Sequence, residues 1–223
     1  VTKQMAEDLD RLRVLLMRMA DLVEAAVRDA GEALFARDRE LGRRVEAGDD
    51  AIDRLENLIQ EGCLRFFALY QPVAADLRWV GMTLLAATDL ERVGDLAAGI
   101  ARRVAAVTLM PPCPVPGGLA GMAERAGGML RAAVEAFARR DPQAARAVIA
   151  ADDEVDRDNA ELIAELVARM KADPAAVEPS LSLFTVVRNL ERVADHAVGI
   201  AEDAVYLAEG ETIRHARAAA APA

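Results

Sequence analysis

The chain has 223 residues, enough for one domain or two, and its 53% of AVILMFWYC residues can fill a sizeable core although aromatics are only 4%. A formal net charge of −10 argues against a nucleic-acid binder, which carries a basic face, and against electrostatic adhesion to anionic lipid. Two cysteines, Cys63 and Cys113, are too few for a disulfide framework and have no zinc-ligand spacing, so reduced thiols in a cytoplasm are expected.

The apolar residues recur in steps of three and four, the period of a helix buried on one face. The first helix is predicted from about Thr2 to Arg37, with Met5, Leu9, Leu12, Met19, Val23, Val27, Ala30 and Leu34 on one stripe. Asp38 is a plausible cap for a second helix reaching Tyr70, in which Ile52, Leu55, Ile59 and Phe66 repeat the spacing. Pro72 suits the first turn of a third helix running to about Val107, because the N–H it lacks has no helical partner there. Met110 to Gly118 holds four prolines and breaks the pattern. A fourth helix follows from about Leu119 to Arg140, and Asp141-Pro142 opens a fifth that reaches Ala172. Asp173-Pro174 to Pro179-Ser180 connects it to a sixth, capped by Ser180 and ending near Gly210. The predicted fold class is all-α: two tandem, duplicated antiparallel three-helix bundles, residues 1–108 and 119–212, with a Pro/Gly-rich linker at 109–118 and a frayed tail at 213–223. Phe66, Phe67, Tyr70 and Trp79 cluster at the first turn, either exposed for a partner or closing the bundle end.

The duplication is written in the residues. Leu90-Glu91-Arg92-Val93-Gly94-Asp95 returns as Leu190-Glu191-Arg192-Val193-Ala194-Asp195, and Asp49-Asp50-Ala51-Ile52-Asp53-Arg54 matches Asp152-Asp153-Glu154-Val155-Asp156-Arg157. Each half thus carries two acidic pairs at i and i+4, on one side of a helix and a turn apart. In an antiparallel hairpin, residues at one height lie equally far from the turn. The pair midpoints of the first half, 51 and 93, average to 72, the predicted turn at Pro72; those of the second, 154 and 193, average to 173.5, between Asp173 and Pro174. Asp49, Asp53, Glu91 and Asp95 should therefore crowd one surface, and Asp152, Asp156, Glu191 and Asp195 another. Like charges at this spacing oppose the helix by a few tenths of a kcal/mol. Either a cation compensates, since carboxylate oxygens suit hard ions such as Mg, Mn, Ca or Fe, or Arg54, Arg92, Arg157 and Arg192 do.

The paired signatures, Asp89 to Ala97 and Asn189 to Ala197, resemble those of the PhoU family, accessory regulators of bacterial phosphate-specific transport. The resemblance runs from the first helix to about Thr212. It implies a duplicated three-helix bundle, a cytoplasmic negative regulator of the phosphate-starvation regulon, and contacts with the ATPase subunit of a phosphate ABC transporter and a phosphate-sensing histidine kinase. It also implies metal ions at Asp49, Asp53, Glu91, Asp95, Asp152, Asp156, Glu191 and Asp195, with Mg, Mn, Fe or Zn as candidates. The first signature opens with Asp89 where the second has Asn189, so Asp89 either adds a ligand or is exposed, and Gly94 against Ala194 distinguishes the two sites.

The rival readings are weaker. A di-iron enzyme needs a Glu-x-x-His motif on each of two helices, and neither His196 nor His215 has a glutamate three residues before it. No nucleophile setting and no phosphate loop appears, so no enzyme is expected. A metal-binding adaptor or scaffold with another regulatory target, and one whose acids are neutralised by arginine without metal, remain open. Direct phosphate sensing finds little support from acidic faces. The charged N-terminus has no signal-peptide pattern and no apolar run approaches a membrane span, so contact with a membrane is expected only through partners. A homodimer is expected over a monomer.

Overall fold

The computed structural model describes residues 2–109, 114–211 and 213. Six long helices form two three-helix bundles: α1 (Lys3–Ala36), α2 (Arg39–Tyr70) and α3 (Ala74–Leu109), then α4 (Gly118–Arg139), α5 (Pro142–Ala172) and α6 (Val177–Glu209). Helices within each half pack on one another, and α3 lies along α6 to join the halves, with a smaller contact between α1 and α4. The buried residues of both halves make one continuous core. Among the described residues no helix is long and apolar enough to cross a membrane.

The duplication recurs in the turns. Asp38 accepts from the N–H groups of Glu40 and Leu41 at 2.9 and 3.0 Å, and Asp141 accepts from those of Gln143 and Ala144 at 3.0 Å each. Each aspartate satisfies helix N–H groups that have no carbonyl partner. The residue before each, Arg37 or Arg140, has φ of 54° and closes the preceding helix in the left-handed region. There the N–H of Asp38 reaches the carbonyl of Ala33 at 2.8 Å, and that of Asp141 reaches Ala136 at 2.9 Å.

Three expectations shift. Pro72 lies before α3 rather than in its first turn; the chain reverses through Gln71 and the first residue of α3, Ala74, both at positive φ. Ser180 does not cap α6. A short 3₁₀ turn, Pro174–Ala176, runs into a helix that starts at Val177, which places Ser180 inside it and fully buried. Pro179 permits this because a proline in the first helical turn gives up no hydrogen bond. The aromatics of the first turn are not an exposed cluster: Phe66 is 1% and Trp79 6% accessible, and Phe67 and Tyr70 are half-buried. The rings of Phe66 and Tyr70 pack with centroids 4.8 Å apart and planes tilted by 53°, and Tyr70 donates to Asp8 of α1 at 2.8 Å, closing the bundle end. Leucine and valine fill the surface role instead, with Leu69, Val73 and Leu77 exposed there. Cys63 is a core sulfur whose thiol pKa burial pushes up to about 12. Residues 110–113 of the predicted linker, including Cys113, and nearly all of the predicted tail lie outside the described residues.

Candidate functional site

The motif helices α3 and α6 are buried on more than one side, because each packs in its own bundle and against the other half. Alanines and glycines make this approach possible: Ala97, Ala98 and Ala101 on α3, and Ala194, Ala197 and Ala201 on α6, are all buried. Where the two helices meet, Asn189 donates from Nδ2 to the carbonyl of Leu96 at 3.4 Å, and His196 Nδ1 lies 2.9 Å from Asp89 Oδ1. His196 is thus an interface residue between the halves.

On the flank of this crossing the acids gather. In the first half, burial raises the pKa of Asp49, and the charges of Asp95 and Asp53 raise it further against the opposing pull of Arg102. Glu91 is raised by burial; Arg92 opposes, and Asp95, Glu56 and Asp53 add to the rise. Asp49 thus lies near enough to Asp95, and Asp53 to Glu91, for their charges to act on one another, as equal distance from the turn leads one to expect. In the second half the carboxylates that act on one another are Asp156, Glu191 and Asp195. Burial raises Glu191, with Asp195 and Asp156 adding to it, and burial raises Asp195, with Asp156 adding. Asp152 is half-buried one turn before Asp156 on α5.

Compensation by arginine is partial. Arg92 stands 3.5 Å from Glu91 and 3.6 Å from Asp95, both long contacts from an exposed side chain. Arg188 holds Glu191 Oε1 at 2.9 Å, while Glu191 Oε2 is buried with no hydrogen-bond partner. Of the arginines the sequence suggests, Arg92 takes part and Arg192 acts on Asp195, whereas Arg157 pairs with Glu154 at 4.0 Å and Arg188, which the sequence did not single out, holds Glu191. Glu56 is also missing from the sequence reading. It follows Asp53 by three residues, on the same face, and accepts from Thr88 of α3 at 3.2 Å. That i+3 spacing was the available signal.

These oxygens are chemically suited to a hard cation, and an unpaired buried carboxylate oxygen is the kind of group a cation would satisfy. Gly94 keeps the first site open, because a Cβ there would lie 3.3 Å from Asp49 Oδ1. Among the described residues, however, no group of three or more His, Cys, Asp or Glu side chains already converges as a metal site. A bound ion would need these side chains to turn toward it.

Comparison with known proteins covers both halves. The sequence model of the PhoU domain matches residues 16–104 and 119–204. The phosphate-specific transport system accessory protein PhoU homolog of Pseudomonas putida is 37% identical over 218 residues, 96% of this chain and 84% of its own length. That of Aquifex aeolicus is 38% identical over 209 residues, 94% of this chain and 95% of its own. The crystal structure of PhoU from Pseudomonas aeruginosa superposes with a TM-score of 0.89 at 36% identity, covering 92% of this chain and 99% of that one. The phosphate transport system regulatory protein PhoU from Streptococcus pneumoniae gives 0.87 at 28% identity, covering 94% and 99%.

Proposed function

Since the chain belongs to the PhoU domain family, we propose that it acts by binding, as a negative regulator of the phosphate-starvation regulon. It is an accessory and regulatory protein of phosphate transport rather than an enzyme. In this reading it works at the cytoplasmic face of the membrane. There it relays phosphate sufficiency from the ATPase subunit of a phosphate ABC transporter to a phosphate-sensing histidine kinase. The observation that carries the proposal is the family match to both halves, each with its acidic cluster on the flank of the α3–α6 crossing. Deleting the gene should leave phosphate-starvation genes expressed in phosphate-rich medium, and the intact gene should restore repression. Normal repression in the deletion strain, with no second copy present, refutes the role.

Asp49, Asp53, Glu91 and Asp95, with Asp152, Asp156, Glu191 and Asp195, would hold the metal. A bound cation would supply the positive charge that Arg92 and Arg188 supply only in part. Changing Asp95→Asn and Asp195→Asn together should lower the metal content found by elemental analysis while leaving the helical circular dichroism unchanged. Unaltered stoichiometry would remove these ligands. The same arginine pairs favour a second reading, a metal-free adaptor, which predicts no metal in the gently purified parent protein. Self-association is also proposed, as a homodimer, with the exposed Leu69, Val73 and Leu77 as an apolar contact region. Light scattering with and without chelator tests it, and a monomer in both conditions ends it.

A further inference from the structure

Beside the acidic cluster of the first half, where α3 crosses α6, a pocket of about 330 Å³ has the opposite character. Arg92, Arg102 and Arg103 of α3 and Arg192 of α6 line it, together with Asn189. In a chain of net charge −10, four guanidinium groups at one mouth are a concentrated exception. One carboxylate, Asp95, also lines the pocket, and its single partner there is Arg92 at 3.6 Å. Among the described residues Arg102, Arg103 and Arg192 make no ion pair within 4.0 Å, so the mouth keeps a positive excess. Gly99 leaves the floor open: a Cβ there would come 2.8 Å from Asn189 Nδ2 and 3.7 Å from Arg102 Nη2.

The repeat shows that this charge is not a by-product of the duplication. One hundred residues on, Arg92, Asp95 and Gly99 return as Arg192, Asp195 and Gly199. Arg102 and Arg103 are replaced by Glu202 and Asp203, and the counterpart of Asn189 is Asp89. The scaffold is duplicated, and the basic lining belongs to one flank of the crossing alone.

We propose that this pocket binds a multivalent phosphate-type oxyanion, either inorganic phosphate or a condensed phosphate group. Guanidinium forks match phosphate oxygens in charge and in geometry, and the second hydrogen of Asn189 Nδ2 adds a neutral donor. The volume is about ten times a water molecule's share of liquid, which leaves room for more than one phosphate group. Arg92 also faces Glu91 and Asp95, Arg102 bears on Asp49 and Arg192 on Asp195, so the anion competes with the acidic clusters for three guanidiniums. Acidic faces argue against phosphate binding when the sequence is read residue by residue. The crossing supplies the basic surface that this reading lacks.

Isothermal titration calorimetry tests the site on the full chain, in chelator so that no metal bridges an anion to the acids. The probes are inorganic phosphate, pyrophosphate and sulfate. One anion per chain is expected, with phosphate or pyrophosphate tighter than sulfate; the tighter of the two identifies the group preferred. The double change Arg102→Glu and Arg103→Asp, which installs the residues of the other half, should weaken binding at least tenfold. Arg139→Ala, an exposed arginine on α4, should leave it unaltered. If the charge reversal fails to fold by circular dichroism, Arg102→Gln with Arg103→Gln takes its place. Absence of binding by all three anions, sulfate binding as tight as the others, or full affinity in the folded double variant each overturns the site.

Discussion

The acids of the two clusters are opposed by their own surroundings. For Asp49, Glu91, Glu191 and Asp195 burial is the largest cause of a raised pKa, and carboxylate neighbours add to it. A native pKa above the unfolded value means that the native state binds the proton more tightly. Its charged form is then a cost, present in full above the native pKa and lost as pH falls toward the ordinary carboxylate value. For Asp49 that ordinary value is 3.8. In chelator, Asp49→Asn should therefore raise stability at pH 7.5, by at least the few tenths of a kcal/mol that a like-charge helix pair costs. The gain should shrink as pH falls through the raised native value. Urea melts of parent and variant across pH check this, and a variant less stable at pH 7.5 contradicts it. The exposed Arg146–Glu209 pair, bonded at 2.7 Å, lowers Glu209 and works in the opposite sense; comparing the two chains cancels it.

At the scale of elements, the duplicated helices have exchanged a methyl group across their packing. Gly94 of α3 packs on Ile52 of α2, where an added Cβ would come within 3.0 Å of Cδ1 and 3.2 Å of Cγ2. Their counterparts in the second half are Ala194 and Val155, with one carbon more on one helix and one fewer on the other. Gly94→Ala gains about 1 kcal/mol of helix propensity but overpacks a core contact, at a typical cost of about 1–3 kcal/mol. Alone it should be neutral to destabilising, and Ile52→Val alone should cost about 0.5–1.5 kcal/mol. Together they should be less destabilising than their sum by about 1 kcal/mol, a coupling that a double-mutant cycle by urea unfolding reads directly. Additive costs would mean that the two substitutions in the second half are unrelated. The exchange accounts for Ala194 without any difference in metal chemistry.

For the whole molecule, the contact of α3 with α6 decides how the halves behave. Their buried residues form one core, and the polar pairs Asn189–Leu96 and His196–Asp89 bind helix to helix across it. Two beads on a linker would melt separately, whereas one core should melt together. Calorimetry of the parent chain should give a single transition whose calorimetric and van't Hoff enthalpies agree. Two resolved transitions would show that the α3–α6 contact adds little to either half.

The six helices, the duplication and the gathering of acids on neighbouring helices were legible in the sequence, because each rests on local rules. Apolar residues at steps of three and four mark a buried face, Asp38 and Asp141 cap through their own side chains, and a hairpin equates residues equally far from its turn. Exposure at the first turn was not legible: Phe66 and Trp79 look alike in sequence whether they close a bundle or face a partner, and only the packing buries them. Ser180 read as a cap because a hydroxyl beside a proline is ambiguous until the helix start is known. The arrangement of the halves, and with it the basic pocket, belonged wholly to the tertiary structure. Arg102 and Arg192 are ninety residues apart, and no local periodicity relates them. Only the crossing of α3 over α6 places them at one mouth, as it places His196 against Asp89.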